Sequence, residues 1–98
     1  MTPNHLTILL FAGFNEVALP QGAELVAVQI EGYQVSLRFK IIGGAASEYR
    51  QFYVAFNSGP TDYNQGILRL LKKIDFPDGT STAMIYEVYP YDENTSVR

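Results

Sequence analysis

The chain has no cysteine and a single histidine, His5. Disulfides, thiolate metal sites and a cysteine nucleophile are therefore excluded, and so is a histidine-rich metal site. Charge is also scarce. Lys and Arg number 7 and Asp and Glu 10 in 98 residues, for a formal net charge of -3. An acidic chain of this size lacks the basic footprint of a nucleic-acid binder. No apolar run approaches the roughly 18 residues of a membrane-spanning helix. Met1 to Phe11 holds no Lys or Arg, so it does not read as a secretory signal. What is present in quantity is apolar and aromatic: 47% hydrophobic residues, with 7 Tyr and 6 Phe. That content folds rather than staying disordered. It allows one modest core, which cannot hide every ring, so some aromatics are expected on a contact surface.

The hydrophobic pattern is that of short strands. Leu6, Ile8 and Leu10 share one face of a first strand, which Ala12-Gly13-Phe14-Asn15 interrupts. Glu16 to Leu19 pairs briefly before the turn Pro20-Gln21-Gly22. From 24 to 31, Glu24, Val26, Val28 and Ile30 alternate with Leu25, Ala27, Gln29 and Glu31. From 34 to 41, Val35, Leu37, Phe39 and Ile41 alternate with Gln34, Ser36, Arg38 and Lys40. With Gly32 between them, the two runs predict a tight hairpin whose polar face carries Arg38 and Lys40, opposite Glu31 or Gln29. A glycine-rich loop then leads to an aromatic strand at 49 to 57. Arg50, Phe52, Val54 and Phe56 point one way along it, and Tyr49, Tyr53 and Asn57 the other. Rings on both faces predict a central strand, or one covered by a partner.

Residues 63 to 74 are ambiguous. Ile67, Leu70, Leu71 and Ile74 fit helical spacing, and the composition leans toward a short helix at about 61–73. On that helix Arg69 and Lys73 would share a face, with Lys72 beside them. Phe76-Pro77-Asp78-Gly79-Thr80 is a sharp turn, followed by a final strand with Met84, Tyr86 and Val88 on one face. The expected fold is mainly β: a small antiparallel sandwich or rolled sheet in one domain over 1–90, with a loose polar tail at 91–98. Exposed edges and surplus aromatics predict a homo-oligomer.

Several segments together resemble a family of small tailed-bacteriophage β proteins, a domain of unknown function. They are Leu19-Pro20-Gln21-Gly22-Ala23, Leu25-Val26-Ala27-Val28-Gln29-Ile30, Glu48-Tyr49-Arg50-Gln51-Phe52 and Met84-Ile85-Tyr86-Glu87-Val88. The likeness covers about residues 15 to 90. It departs at Asn57-Ser58-Gly59-Pro60, where the family has Thr-Gly-His, and in the final strand, which lacks the family's Trp-His pair. The resemblance implies an antiparallel β domain of phage or prophage origin, and so a place in the cytoplasm of a bacterial host. It implies no chemistry.

No catalytic set emerges from the residues. His5 has no Ser or Asp at triad-like spacing and reads as a surface histidine. Asp75 and Asp78 flank Pro77 in a turn that accounts for Asp78. Neither Gly43-Gly44 nor Ser58-Gly59 sits in a phosphate-loop motif. The chain is thus expected to act without catalysis or cofactor. The residues that stand out for binding are Arg50, Tyr53, Asn57 and Tyr63, around a loop rich in Gly and Pro; Tyr rings stack, and Arg grips carboxylate or phosphate in a fork. Three functions fit: an accessory protein that binds and inhibits a host defence or takeover protein, a binder that sequesters a nucleotide-like signal, and a virion structural or decoration protein.

Overall fold

The alternation in the sequence becomes seven strands joined mostly by tight turns. A computed structural model describes residues 4–32, 34–41, 43–57 and 66–90. The strands are β1 (Asn4–Leu10), β2 (Gly13–Pro20), β3 (Glu24–Glu31), β4 (Gln34–Ile41), β5 (Ser47–Phe56), β6 (Gly66–Asp75) and β7 (Thr82–Pro90). They form a three-stranded sheet in the order β1-β4-β3 and a four-stranded sheet in the order β2-β5-β7-β6, with every pairing antiparallel. The fold is a small β sandwich. Its Cα trace is 15 Å through the thinnest axis, which suits two sheets stacked about 10 Å apart.

Three connections carry the chain between the sheets, β1–β2, β2–β3 and β4–β5, and the first two are tight corners. At the first, Asn15 folds back on the β1–β2 link. Its Oδ1 accepts from the Phe11 N–H at 2.9 Å, and its Nδ2 donates to the carbonyls of Phe11 at 2.8 Å and Gly13 at 3.0 Å. Gly13 has φ 88°, a left-handed conformation open to glycine without strain. At the second corner, the Gln21 N–H donates to the Ala46 carbonyl at 2.7 Å and the Ala23 N–H to Pro20 at 3.1 Å.

The core lies between the sheets. Val35, Leu37 and Phe39 of β4 meet Phe52 and Val54 of β5 and Ile85 of β7, with Leu10 and Leu19 closing the sides. The rings of Phe39 and Phe52 meet across the interface, centroids 6.1 Å apart. The β3–β4 hairpin forms as the alternation requires, with Glu31 opposite Gln34 and Val28 opposite Leu37. β5 is a central strand, between β2 and β7.

Two expectations are corrected, and both corrections trace to a β-bulge. Within 61–73, the described residues from Gly66 onward belong to a strand, not a helix. The register of β6 against β7 slips between Leu70 and Lys72, and the extra residue turns Leu71 inward. Leu71 and Ile74 then both reach the core, three residues apart, and that spacing imitates a helical period. The bulge also sends Arg69 and Lys73 to opposite faces, so the basic patch does not form as one surface. In β3 the slip lies between Leu25 and Ala27. It brings Leu25 into the core while Val26 is left exposed, reversing the alternation at the start of the strand. Arg38 therefore faces Ala27, and Lys40 faces Glu24.

Leu37 is fully buried at the sheet interface. Leu37→Ala is expected to cost roughly 2–5 kcal/mol in urea unfolding. Val26→Asp, at the exposed bulge, should cost far less than Leu25→Asp. Equal losses from the two Asp variants would mean that the bulge is misplaced.

Candidate functional site

Two surfaces involve the residues singled out in the sequence, and β5 separates them. Arg50 points inward with Phe52 and Val54. Tyr53 points outward, as the alternation requires. The structure therefore does not join Arg50 and Tyr53 in one site.

Arg50 is held by a set of internal partners. Its Nε donates to Glu87 Oε2 at 2.8 Å and its Nη2 to Glu87 Oε1 at 3.0 Å, a two-pronged ion pair between neighbouring strands. Its Nη1 donates to the Ala23 carbonyl at 2.7 Å, at the corner between the sheets. The guanidinium carbon lies 5.3 Å from the centre of the Phe39 ring and 5.9 Å from that of Phe52, within cation–π range. The hydrogen bond to Glu87 raises the guanidinium pKa above its ordinary value, against the lowering effect of burial. Glu87 is the one buried charged residue among those described. Sequence reasoning missed it. The signal was there: Ala83, Ile85 and Glu87 share the core phase of β7, and a carboxylate on that phase requires a buried partner.

Beside this pair β5 and β7 part company. Their pairing stops at Gln51 opposite Val88; β5 continues along β2, and β7 along β6. The opening is a shallow cleft of about 400 Å³ lined by Glu48, Tyr49, Arg50, Glu87 and Tyr89. Its one guanidinium is already neutralised by Glu87, and Glu48 adds a second carboxylate. That balance suits a cationic or aromatic group better than a phosphate.

The outer face of the four-stranded sheet is different in kind. Phe14 pairs with Tyr53, Tyr53 with Tyr86, and Tyr86 with Leu70. These four residues make one apolar row across all four strands. Its ends are open to solvent, Phe14 being 49% and Leu70 52% exposed. Tyr53 and Tyr86 are half-buried between them, and the Tyr86 hydroxyl donates to Met84 Sδ at 3.2 Å. Leu68 and Val88 extend the row on one side.

The remaining candidates divide. Asn57 closes the end of β5: its backbone N–H donates to the Thr82 carbonyl at 2.8 Å, and its Oδ1 accepts from the Thr82 N–H at 3.0 Å. Its φ of 65° is one that Asn tolerates better than most residues. Tyr63 lies outside the described residues. His5 is exposed on β1. The Asp78 carboxylate caps its own turn, accepting from the Thr80 and Ser81 N–H groups at 2.9 and 2.8 Å and from the Ser81 hydroxyl at 2.7 Å. No protein-family model matches the chain, and neither a curated protein nor a solved structure matches it.

Removing one member of the Arg50–Glu87 pair strands the other at the sheet interface. Glu87→Ala is expected to lower unfolding free energy by about 3 kcal/mol. The double variant Arg50→Met/Glu87→Leu should recover most of that loss, because it removes both charges and keeps the volume. Denaturant unfolding of the single and double variants measures this; a double variant less stable than Glu87→Ala would contradict it.

Proposed function

We propose that this protein is a non-catalytic binding domain that engages another protein through the outer face of its four-stranded sheet. The observation that carries the reading is the row Phe14–Tyr53–Tyr86–Leu70, apolar from edge to edge and solvent-exposed at both ends. Rigid aromatic residues on a flat scaffold give contact area at little entropic cost, and such residues carry most of the energy of protein interfaces. The sandwich supports them from behind, so the row is ordered before a partner arrives. The conspicuous charges serve the fold instead, since Arg50 and Glu87 are spent on one another. The resemblance of the sequence to phage proteins makes the expected partner a protein of a bacterial host, bound and inhibited in its cytoplasm.

A second reading has its own observation. The cleft between the parted ends of β5 and β7 offers Tyr49 and Tyr89 to a small ligand. A nucleotide-like ligand suits this cleft poorly: with Glu87 paired to Arg50, the further carboxylate of Glu48 favours a cationic or aromatic one.

The test is capture from bacterial host lysate by the purified protein, compared with a Phe14→Lys/Leu70→Lys variant. Both positions are exposed, so folding should be retained, with a melting temperature within a few degrees of the parent. The expected result is loss of the captured protein in the double Lys variant and its retention in Tyr49→Ala. Undiminished capture by the folded double variant would overturn the outer-face reading. A co-purifying small molecule lost on Tyr49→Ala would put the cleft in its place. Recovery of the protein in purified phage particles would favour a virion component.

A further inference from the structure

Each sheet of the sandwich has two edge strands, and an edge presents unpaired N–H and C=O groups that template pairing with another chain. Proteins blunt such edges with bulges, charges or proline. Three of the four edges here carry such devices. β3 has the bulge at Val26 and Glu at both ends. β6 has the bulge at Leu71, with Arg69, Lys72 and Lys73 along it. β2 carries Glu16 and ends in Pro20. β1 has none: Asn4–Leu10 runs in unbroken register against β4 and contains no bulge, no proline, no lysine and no carboxylate. Among the described residues no strand lies along its other side. The chain there also exposes large apolar side chains, Leu9 at 56% and Phe11 just beyond the strand at 70%.

We propose that β1 pairs antiparallel with β1 of a second copy, joining two three-stranded sheets into one six-stranded sheet across a two-fold axis. The occupant follows from self-complementarity. Full overlap of Asn4–Leu10 with its own copy sets Thr7 opposite Thr7, Leu6 opposite Ile8 and His5 opposite Leu9. Every pair then keeps its face: Leu6 and Ile8 stay on the core side, while Thr7 and Leu9 stay on the outside. Facing threonines are a favourable cross-strand pair, and no carboxylate or lysine is brought against its like. The same operation on β6 would gather six cations along one seam, and on β3 four carboxylates. The half-buried Leu6 and Ile8 become continuous with their counterparts, extending the core through the interface. The inference is independent of the proposed binding face, which lies on the other sheet and stays open in such a dimer. Each assembly would then present two copies of it.

Light scattering on the purified full chain tests this. The expected mass is twice 11.0 kDa at roughly 100 µM, falling toward the monomer on dilution, as suits an interface at the small end of the size range. Thr7→Lys, at an exposed outward position, sets two like charges against each other on the axis and should give the monomer mass with unchanged circular dichroism. Leu9→Lys should do the same, which keeps the test open if one variant misfolds. Val26→Lys on the opposite edge should leave the dimer intact. A wild-type protein that stays monomeric at the highest concentration would overturn the proposal. So would a dimer that survives both β1 lysines. A dimer lost only in Phe14→Lys/Leu70→Lys would also overturn it, and would place the copies face to face on the four-stranded sheet.

Discussion

A single guanidinium ties the two layers of the sandwich. Arg50 of β5 binds Glu87 of β7, the Ala23 carbonyl at the corner between the sheets, and the ring of Phe39 on the opposite sheet. Those partners lie far apart in sequence, and none is joined to Arg50 by a local turn. An interior charge is costly without partners and specific with them. Only an arrangement that puts β7 beside β5, and the 20–24 corner at the end of β5, satisfies all the donors used here. A hydrophobic core alone would tolerate sliding of one sheet over the other. The reach of the guanidinium to the Ala23 carbonyl and the Phe39 ring opposes that sliding, and its ion pair with Glu87, within its own sheet, anchors it where β5 and β7 diverge.

The division of labour between faces follows from this. With the inner side of β5 committed to Arg50, Phe52 and Val54, the outer side is left to Tyr49, Gln51, Tyr53 and Ala55. Strand neighbours bring Phe14, Tyr86 and Leu70 into line with Tyr53, and the row is a product of register rather than of sequence proximity. The two bulges shape the same economy. In β3 and β6 each turns one apolar residue inward, Leu25 and Leu71, and bends an edge away from simple pairing. The edge left unbent, β1, is also the one without charge.

Much of this architecture was legible as alternation. The β3–β4 hairpin, the central aromatic strand and the opposite facing of Arg50 and Tyr53 all follow from a period of two. The reading failed where the period broke. A bulge adds one residue, and one residue reverses every side chain beyond it, so Leu71 and Ile74 mimicked a helix and Leu25 was assigned to the wrong face. Nothing local marks a bulge in a sequence without an obliging glycine. The candidate site was legible only in part, for a related reason. Tyr53 was recognisable as an outward aromatic, but its neighbours Phe14 and Tyr86 lie 39 and 33 residues away in the chain. Cross-strand register joins them, and composition does not reveal register. Arg50 was conspicuous as a lone cation on a core phase. Its partner Glu87 could have been found by the same reasoning applied to β7.

The tie at Arg50 can be read directly from its Nε–H proton. Bound to a buried carboxylate, that proton should exchange slowly, be visible in a nitrogen-correlated NMR spectrum near neutral pH, and show an Overhauser contact to the Phe39 ring. The exposed Arg38 and Arg69 provide internal references in the same spectrum. A protected Arg50 signal with contacts to Phe39 is the result expected. An Arg50 Nε–H that exchanges as fast as those of Arg38 and Arg69, with no contact to Phe39, would contradict the account.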